Sequence, residues 1–271
     1  YAAPTASSTA VAGTNVGTAS ITISGGSATN YSFNTTDTGI LTITPVVLTS
    51  TVGDASKSYG EDNPIFPVTV AGFVNGENQD SAAGYTAPTA SSVATKTTGV
   101  GTSLITISGG SATNYTFNNA DTGTLTITPA LLTATVEDTS KTYGQANPEF
   151  PVTVTGFMNG ETPASLGAGY VAPTASSAAT TTTPVSNVPI TISGGVSANY
   201  VFNTSDQGIL TISKAVLTAT VEDATRPYGQ DNQTFAVTVT GFVNGETAET
   251  AAGYAAPTAS STAVAGTNVG T

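Results

Sequence analysis

Between Ala130 and Glu137 apolar and polar side chains alternate. Leu132, Ala134 and Val136 fall on one face; Thr133, Thr135 and Glu137 fall on the other. A period of two predicts a half-buried β-strand. The segment Asp138–Glu149, DTSKTYGQANPE, has no period and reads as a loop. Alternation resumes over Phe150–Gly156, with Phe150, Val152 and Val154 inward, and the same rhythm returns at Phe66, Val68, Val70 and at Phe235, Val237, Val239. Asn159-Gly160, like Asn75-Gly76 and Asn244-Gly245, is the pair that tight hairpins prefer, because both positions tolerate positive φ. Tyr170–Thr183 is rich in Thr, Ser and Ala and reads as an edge strand with little apolar side chain to anchor its register. Val188, Ile190 and Ile192 then alternate with Pro189, Thr191 and Ser193. Gly194-Gly195 is expected to break that strand, and Tyr200 and Phe202 to start the next. Asp206-Gln207-Gly208 is a turn signal, repeated as Asp37-Thr38-Gly39 and Asp121-Thr122-Gly123, and Leu210 and Ile212 close the pattern.

Six or seven short strands at roughly 8–12-residue spacing, with no helical period, predict an all-β fold of the small antiparallel β-sandwich (Ig-like) type. Thr and Val dominate because branched side chains suit a pleated, half-exposed surface. The pattern recurs along the whole chain. Tyr1, Tyr85, Tyr170 and Tyr254 each open a Y-x-APTASS phrase, at spacings of 84, 85 and 84 residues. Tyr254–Thr271 repeats Tyr1–Thr18 letter for letter, whereas Tyr85–Thr102 matches Tyr1–Thr18 at 12 of 18 positions. The expected architecture is therefore a tandem array of sandwich modules. The identical ends predict either a window on a longer array of near-identical three-module blocks, or ends drawn from a cyclic repeat. On both readings neither terminus is expected to be a native one.

The closing strand of one module runs into the opening strand of the next through Gly123–Val136, GTLTITPALLTATV, with one Pro and no Gly/Ser linker. Copies stand at Gly39–Val52 and at Gly208–Val221, where Lys214 replaces the Pro. Modules joined end to end by short extended connectors should meet at restricted angles. The expected boundaries give residues 1–44 as the C-terminal part of one repeat, 45–129 and 130–214 as complete repeats, and 215–271 as the N-terminal part of another.

Composition narrows the function. Seventeen acids face five bases, for a net charge of −12, which cannot neutralise phosphates, so nucleic acid is not an expected partner. Calcium or a basic surface stays open. There is no Cys, His or Trp, so the usual zinc ligand sets cannot form. No apolar run reaches the ~20 residues of a membrane span. Abundant Thr, Ser, Ala, Gly and Asn with few charges favour an extracellular repeat protein.

The phrases SKTYGQANPEF (Ser140–Phe150), GFMNGET (Gly156–Thr162) and NYTFNNADTGTLTIT (Asn114–Thr128) resemble the MBG repeats, the mostly-β, glycine-rich modules of large bacterial surface proteins that include filamentous-haemagglutinin-like adhesins. The resemblance covers the whole chain, in two full and two partial copies. The last copy departs from it, with Arg226-Pro227 before Tyr228 and Gln233 where Pro64 and Pro148 stand. The resemblance implies a secreted, surface-displayed stalk or adhesin array, and supplies no catalytic residues.

Candidate chemistry is sparse. The acid pairs Glu61-Asp62, Glu137-Asp138 and Glu222-Asp223 could serve acid–base catalysis, but neighbours on a strand point to opposite faces. No enzyme activity, catalytic residue, cofactor site or metal site is expected. Calcium is the one ion that the oxygen-only set Asp54, Glu137-Asp138 and Glu222-Asp223 would suit, although Gly53 breaks the acid column. Lys57, Lys141 and Arg226 share a column; pairing with a nearby acid is expected rather than a buried lysine–asparagine cross-link, which Arg226 could not form. Tyr59, Tyr143 and Tyr228 are expected to cap the sandwich ends with their hydroxyls on backbone, ahead of an aromatic ligand platform. Asp80-Ser81-Ala82 fits an O-glycosylation pattern of the kind a Ser/Thr-rich chain produces by chance. The expected function is a structural array, the stalk of a bacterial surface adhesin or the body of an extracellular filament. Its partners are itself, through the weakly anchored edge strand, and glycans or host and biofilm surfaces. The alternative is a multivalent array that binds a glycan or surface polymer.

Overall fold

The computed structural model describes residues 1–270. The chain divides into two compact units. The first holds Tyr1–Ala130 together with Met158–Glu161 and Ala198–Tyr200; the second holds the other described residues.

The first unit begins with a partial repeat of three strands, β1 (Thr5–Ser8), β2 (Gly17–Ser24) and β3 (Thr38–Ile43), paired antiparallel in that order. A complete repeat follows: β4 (Val46–Val52), β5 (Ala55–Ser58), β6 (Val68–Ala71), β7 (Thr86–Ser92), β8 (Gly101–Ser111), β9 (Tyr115–Asn118) and β10 (Thr122–Thr128). Its strands form a three-stranded sheet, β6-β4-β9, and a four-stranded sheet, β5-β10-β8-β7. The alternation explains the core. Leu48 from the first sheet, with Ile105 and Leu125 from the second, is fully excluded from solvent, while the intervening threonines face water. Each such side chain contributes about 2 kcal/mol by leaving water.

The second unit repeats this plan. It comprises β11 (Ala130–Val136), β12 (Thr139–Thr142), β13 (Val152–Thr155), a single helical turn α1 (Pro163–Leu166) running into a 3-10 turn (Gly167–Gly169), β14 (Val171–Ser177), β15 (Asn187–Val196), β16 (Tyr200–Asn203) and β17 (Gln207–Ser213). The sheets are β13-β11-β16 and β12-β17-β15-β14, around a core of Ala134, Val136, Ala179, Ile190, Ile192, Leu210 and Ile212. A last partial repeat contributes the antiparallel pair β18 (Thr218–Val221) and β19 (Val237–Thr240). The protein is thus nearly all β, built of tandem sandwich modules, and one residue, Pro129, separates β10 from β11.

Several details differ from the sequence reading. Pairing is mixed: β4 lies parallel to β9, β5 to β10 and β12 to β17. The reason is a corner at Gly53-Asp54 and at Glu137-Asp138, where the chain leaves one sheet and joins the other beside the last strand of its own repeat. The supposed loop Asp138–Glu149 therefore contains a strand, β12. Asn-Gly does make a tight turn, with Asn75 at φ 57° and Gly76 at φ 76°, closed by Glu77 N–H to the Val74 carbonyl at 3.0 Å. It joins no hairpin, because β6 pairs with β4 and β7 with β8. Gly194-Gly195 bends but does not end β15, which runs to Val196. The short helix, absent from the sequence reading, starts at Thr162, whose hydroxyl accepts from Ser165 N–H while Pro163 presets the first turn. The Thr/Ser/Ala-rich segment Tyr170–Thr183 was expected to form an edge strand, and β14 within it, like β7 in the preceding repeat, lies at a sheet edge.

Candidate functional site at the module seam

The most organised polar cluster lies where one repeat's Tyr-Gly loop meets the Asn-Gly-Glu turn of the next. Met158–Glu161 and Ala198–Tyr200 follow Pro129 in sequence, yet they belong to the first unit. Tyr59, almost wholly buried, donates its phenolic hydrogen to Glu161 Oε1 at 2.5 Å. Tyr200 donates to Glu161 Oε2 and accepts from Met158 N–H at 2.9 Å. The two rings meet edge to face, with centroids 5.5 Å apart. One carboxylate therefore holds two phenols, a charge-assisted arrangement stronger than neutral hydrogen bonds.

Asparagines flank this clasp. Asn159 Nδ2 donates to the Lys96 carbonyl at 3.2 Å, and Val100 N–H donates to Asn199 Oδ1 at 3.0 Å. Gly60, at φ 89°, brings its backbone so close that a Cβ would stand 2.5 Å from Met158 Cβ. Only glycine fits there, by conformation and by space.

The same contacts recur one period away in either direction. Near Pro45, within the first unit, Asn75 Nδ2 meets the Ala12 carbonyl at 2.9 Å and Val16 N–H meets Asn114 Oδ1 at 3.0 Å. Glu77 there accepts from Tyr115 at 2.5 Å. Near Lys214, within the second unit, Tyr143 donates to Glu246 Oε1 at 2.7 Å and Asn244 Nδ2 meets the Thr181 carbonyl at 2.9 Å. A Cβ on Gly144 would again be too close, 2.6 Å from Val243 Cγ2.

The seam corrects the expectation for the loop tyrosines. Tyr59 and Tyr143 are packed, but their hydroxyls bind glutamates about a hundred residues away rather than local backbone. Tyr228 stands exposed. The sequence reading missed Glu77, Glu161 and Glu246. Their only signal was that each follows an Asn-Gly pair.

The shared cation column is also resolved differently. Lys57 and Lys141 are buried, and among the described residues neither forms an ion pair with an acid. Lys57 Nζ donates to the carbonyls of Glu61 and Thr95 at 3.1 and 2.7 Å. Lys141 Nζ donates to the carbonyls of Gln145 and Thr180 at 3.2 and 2.7 Å and to Asn147 Oδ1 at 2.8 Å. Arg226 holds the matching set: Asn232 Oδ1, the Gln230 carbonyl and the Val264 carbonyl. The ammonium thus ties three loop segments together.

The acids considered for calcium serve as backbone clamps. Asp54 Oδ1 accepts from Thr124 N–H and Asp138 Oδ1 from Ile209 N–H, both at 2.7 Å. Asp121 and Asp206 return the gesture, accepting from Val52 and Val136 N–H at 2.9 Å. These Asp residues, expected as turn markers or ion ligands, stitch the sheet-switching corner. Glu61 Oε2 accepts from Ser58 N–H, and Asp62 pairs with Lys96 at 3.1 Å on the surface, so this acid pair does not converge. Among the described residues no group of three His, Cys, Asp or Glu is placed to hold a metal. Asp80-Ser81-Ala82 lies in a turn, with Ser81 Oγ bonded to Asn78 Oδ1 and Ala82 packed into the core beside Leu48.

Burial, then the bond to Glu161, pushes the Tyr200 phenol up to about 12; the same causes, in the same order, raise Tyr59. At Tyr115 the bond to Glu77 is the larger cause and burial the smaller. Tyr59, Tyr115 and Tyr200 are therefore held protonated, as donors to a carboxylate should be.

No helix among the described residues is long and apolar enough to cross a membrane. No curated protein matches the chain. Residues 48–126, 132–211 and 217–271 each match one family of structural β-domains typical of surface proteins. The tandem sandwiches, the Tyr-Gly loops that form the seams and these three matches agree: the chain is a repeat array that belongs to the MBG domain (YGX type) family.

Proposed function

We propose that this chain is a spacer: part of the stalk of a bacterial surface adhesin, or of the body of an extracellular filament, displayed outside the cell. The observation that carries this is the seam. The same Asn side chain reaches the same backbone carbonyl near Pro45, Pro129 and Lys214, and the Tyr–Glu contact recurs at the latter two. An array whose junctions are specified by repeated side-chain contacts sets a defined distance per repeat. A flexible string would leave those residues free to vary.

The boundaries 1–44, 45–129, 130–214 and 215–271 are the repeat units of this proposal, and calcium has no part in it. The alternative is a multivalent array that binds a glycan or surface polymer, for which the loop tyrosines would be one available ring platform. Tyr59 and Tyr143 are instead turned into the seams, which weighs against that reading. Electron microscopy of the native material tests the proposal. Elongated particles with an axial repeat of one or three modules are expected, together with no retention on a glycan array. Compact particles, or binding to glycans that rises steeply with module number, would overturn it.

A further inference from the structure

The dipeptide Asn-Gly stands at three places in this chain, 75–76, 159–160 and 244–245, and at each of them Glu follows. All three are exposed turns at a seam. In each, the asparagine amide donates to a backbone carbonyl of the preceding repeat, that of Ala12, Lys96 or Thr181. Their backbone is unusual. Among the described residues these asparagines are the non-glycine positions at positive φ, 57°, 54° and 55°. Each following glycine is also at positive φ, and a Cβ added there would meet nothing within 4 Å.

An asparagine next to an unshielded glycine is reactive. The main-chain nitrogen that follows an asparagine can attack its side-chain amide carbon, and a side chain on the following residue ordinarily obstructs the approach. Gly160 puts no side chain in the way. The bond that closes the turn is given by Glu161 N–H, to the Met158 carbonyl at 2.9 Å, so Gly160 N–H is not committed to it. Attack by Gly160 N on Asn159 Cγ forms a five-membered succinimide ring. The Cγ–Nδ2 bond breaks, and ammonia leaves with the proton from Gly160 N. Water then opens the ring at either carbonyl, leaving aspartate or isoaspartate.

We propose that Asn75, Asn159 and Asn244 are sites of spontaneous deamidation in the folded protein, and that the reaction unlocks the seams one at a time. This rests on the spacer reading and gives the array a finite chemical lifetime. At Asn159 the product replaces the Nδ2 donor with a carboxylate, an acceptor facing the Lys96 carbonyl, itself an acceptor. An isoaspartate also routes the main chain through Cβ, adding one carbon between positions 159 and 160. The turn is thereby widened just before Glu161, whose carboxylate holds Tyr59 and Tyr200. One modification disturbs both the bond across the seam and the clasp beside it. Asn114 and Asn199 also serve seams, accepting from Val16 and Val100 N–H, but each is followed by a tyrosine. They are the internal comparison, seam asparagines without an open neighbour.

The test is to age the folded chain in warm, mildly alkaline buffer and to map its peptides by mass spectrometry. A urea-unfolded sample, aged in parallel until its Asn-Gly pairs have reacted, fixes how long to wait. Aspartate and isoaspartate are expected to accumulate at positions 75, 159 and 244 of the folded chain, while Asn114 and Asn199 remain amides. Gly160→Ala should slow the reaction at Asn159 several-fold and leave Asn75 and Asn244 reacting as before. The aged parent and fresh Asn159→Asp should both unfold at lower urea than the fresh parent. An Asn159 that stays an amide in the aged folded chain overturns the proposal. So does an aged, modified parent that unfolds at the same urea concentration as the fresh one. Neither result touches the spacer reading, which microscopy of fresh material decides.

Discussion

The Tyr59 hydroxyl and the Glu161 carboxylate, separated by 102 positions in the chain, stand 2.5 Å apart in a part-buried seam. Glu161 also holds Tyr200, so removing its charge should loosen two phenols at once. Glu161→Gln is expected to destabilise the first unit by about 2 kcal/mol, the usual scale for a bond to a charged group. Urea unfolding of the full chain measures it, and Glu246→Gln, which serves one tyrosine, should cost less.

The same contacts impose an alkaline limit. The folded state holds Tyr200 as the neutral phenol with its value raised to about 12, against about 10 when unfolded. The unfolded chain therefore loses this proton first. The contribution is fully present below pH 10 and is lost as pH rises from about 10 toward 12. Urea midpoints followed over that window should fall, and Tyr200→Phe should flatten the fall.

Gly60 and Gly76 both stand at positive φ, 89° and 76°. A Cβ on Gly60 meets Met158, whereas on Gly76 it meets open space. Gly76→Ala should cost only the left-handed backbone strain, about 1 kcal/mol. Gly60→Ala should cost about 2 kcal/mol more, from overpacking at the seam. Equal losses in thermal or urea unfolding would remove the steric argument.

Lys141, itself buried, satisfies three part-buried acceptors with one ammonium. Lys141→Met should strand them and destabilise the second unit by about 3 kcal/mol. Lys141→Arg should be milder, because Arg226 already serves the equivalent acceptors. Differential unfolding of the two variants separates hydrogen bonding from simple bulk.

Ser50 is fully buried and its hydroxyl lacks a hydrogen-bond partner among the described residues, while Ala134 and Ala219 hold its column. Ser50→Ala is expected to raise stability by about 1 kcal/mol, seen as a higher urea midpoint.

The strands were legible where side-chain alternation is long, as in Ala130–Val136, because burial of one face writes itself into every second residue. The short strands β5 and β12 were not, since Ser-Lys-Ser and Ser-Lys-Thr carry no apolar period and their burial rests on a lysine bonded to carbonyls. Parallel pairing was hidden for a related reason: it depends on which sheet the chain enters after Asp54 or Asp138, and no local pattern encodes that choice. The seam was the least visible. Tyr59, Glu161 and Asn159 each look ordinary alone, and the aspartates that read as turns or ion ligands proved to be clamps on amides across the corner.

Pro129 leaves no slack between β10 and β11, so tension along the array would enter each sandwich through its first strand and leave through its last. Those strands are not zipped at a hairpin end. The first, β4, lies parallel to β9, and the last, β10, lies parallel to β5. Pulling therefore shears whole rows of backbone hydrogen bonds together instead of peeling them singly, and the fold should resist stretching far better than its modest core suggests.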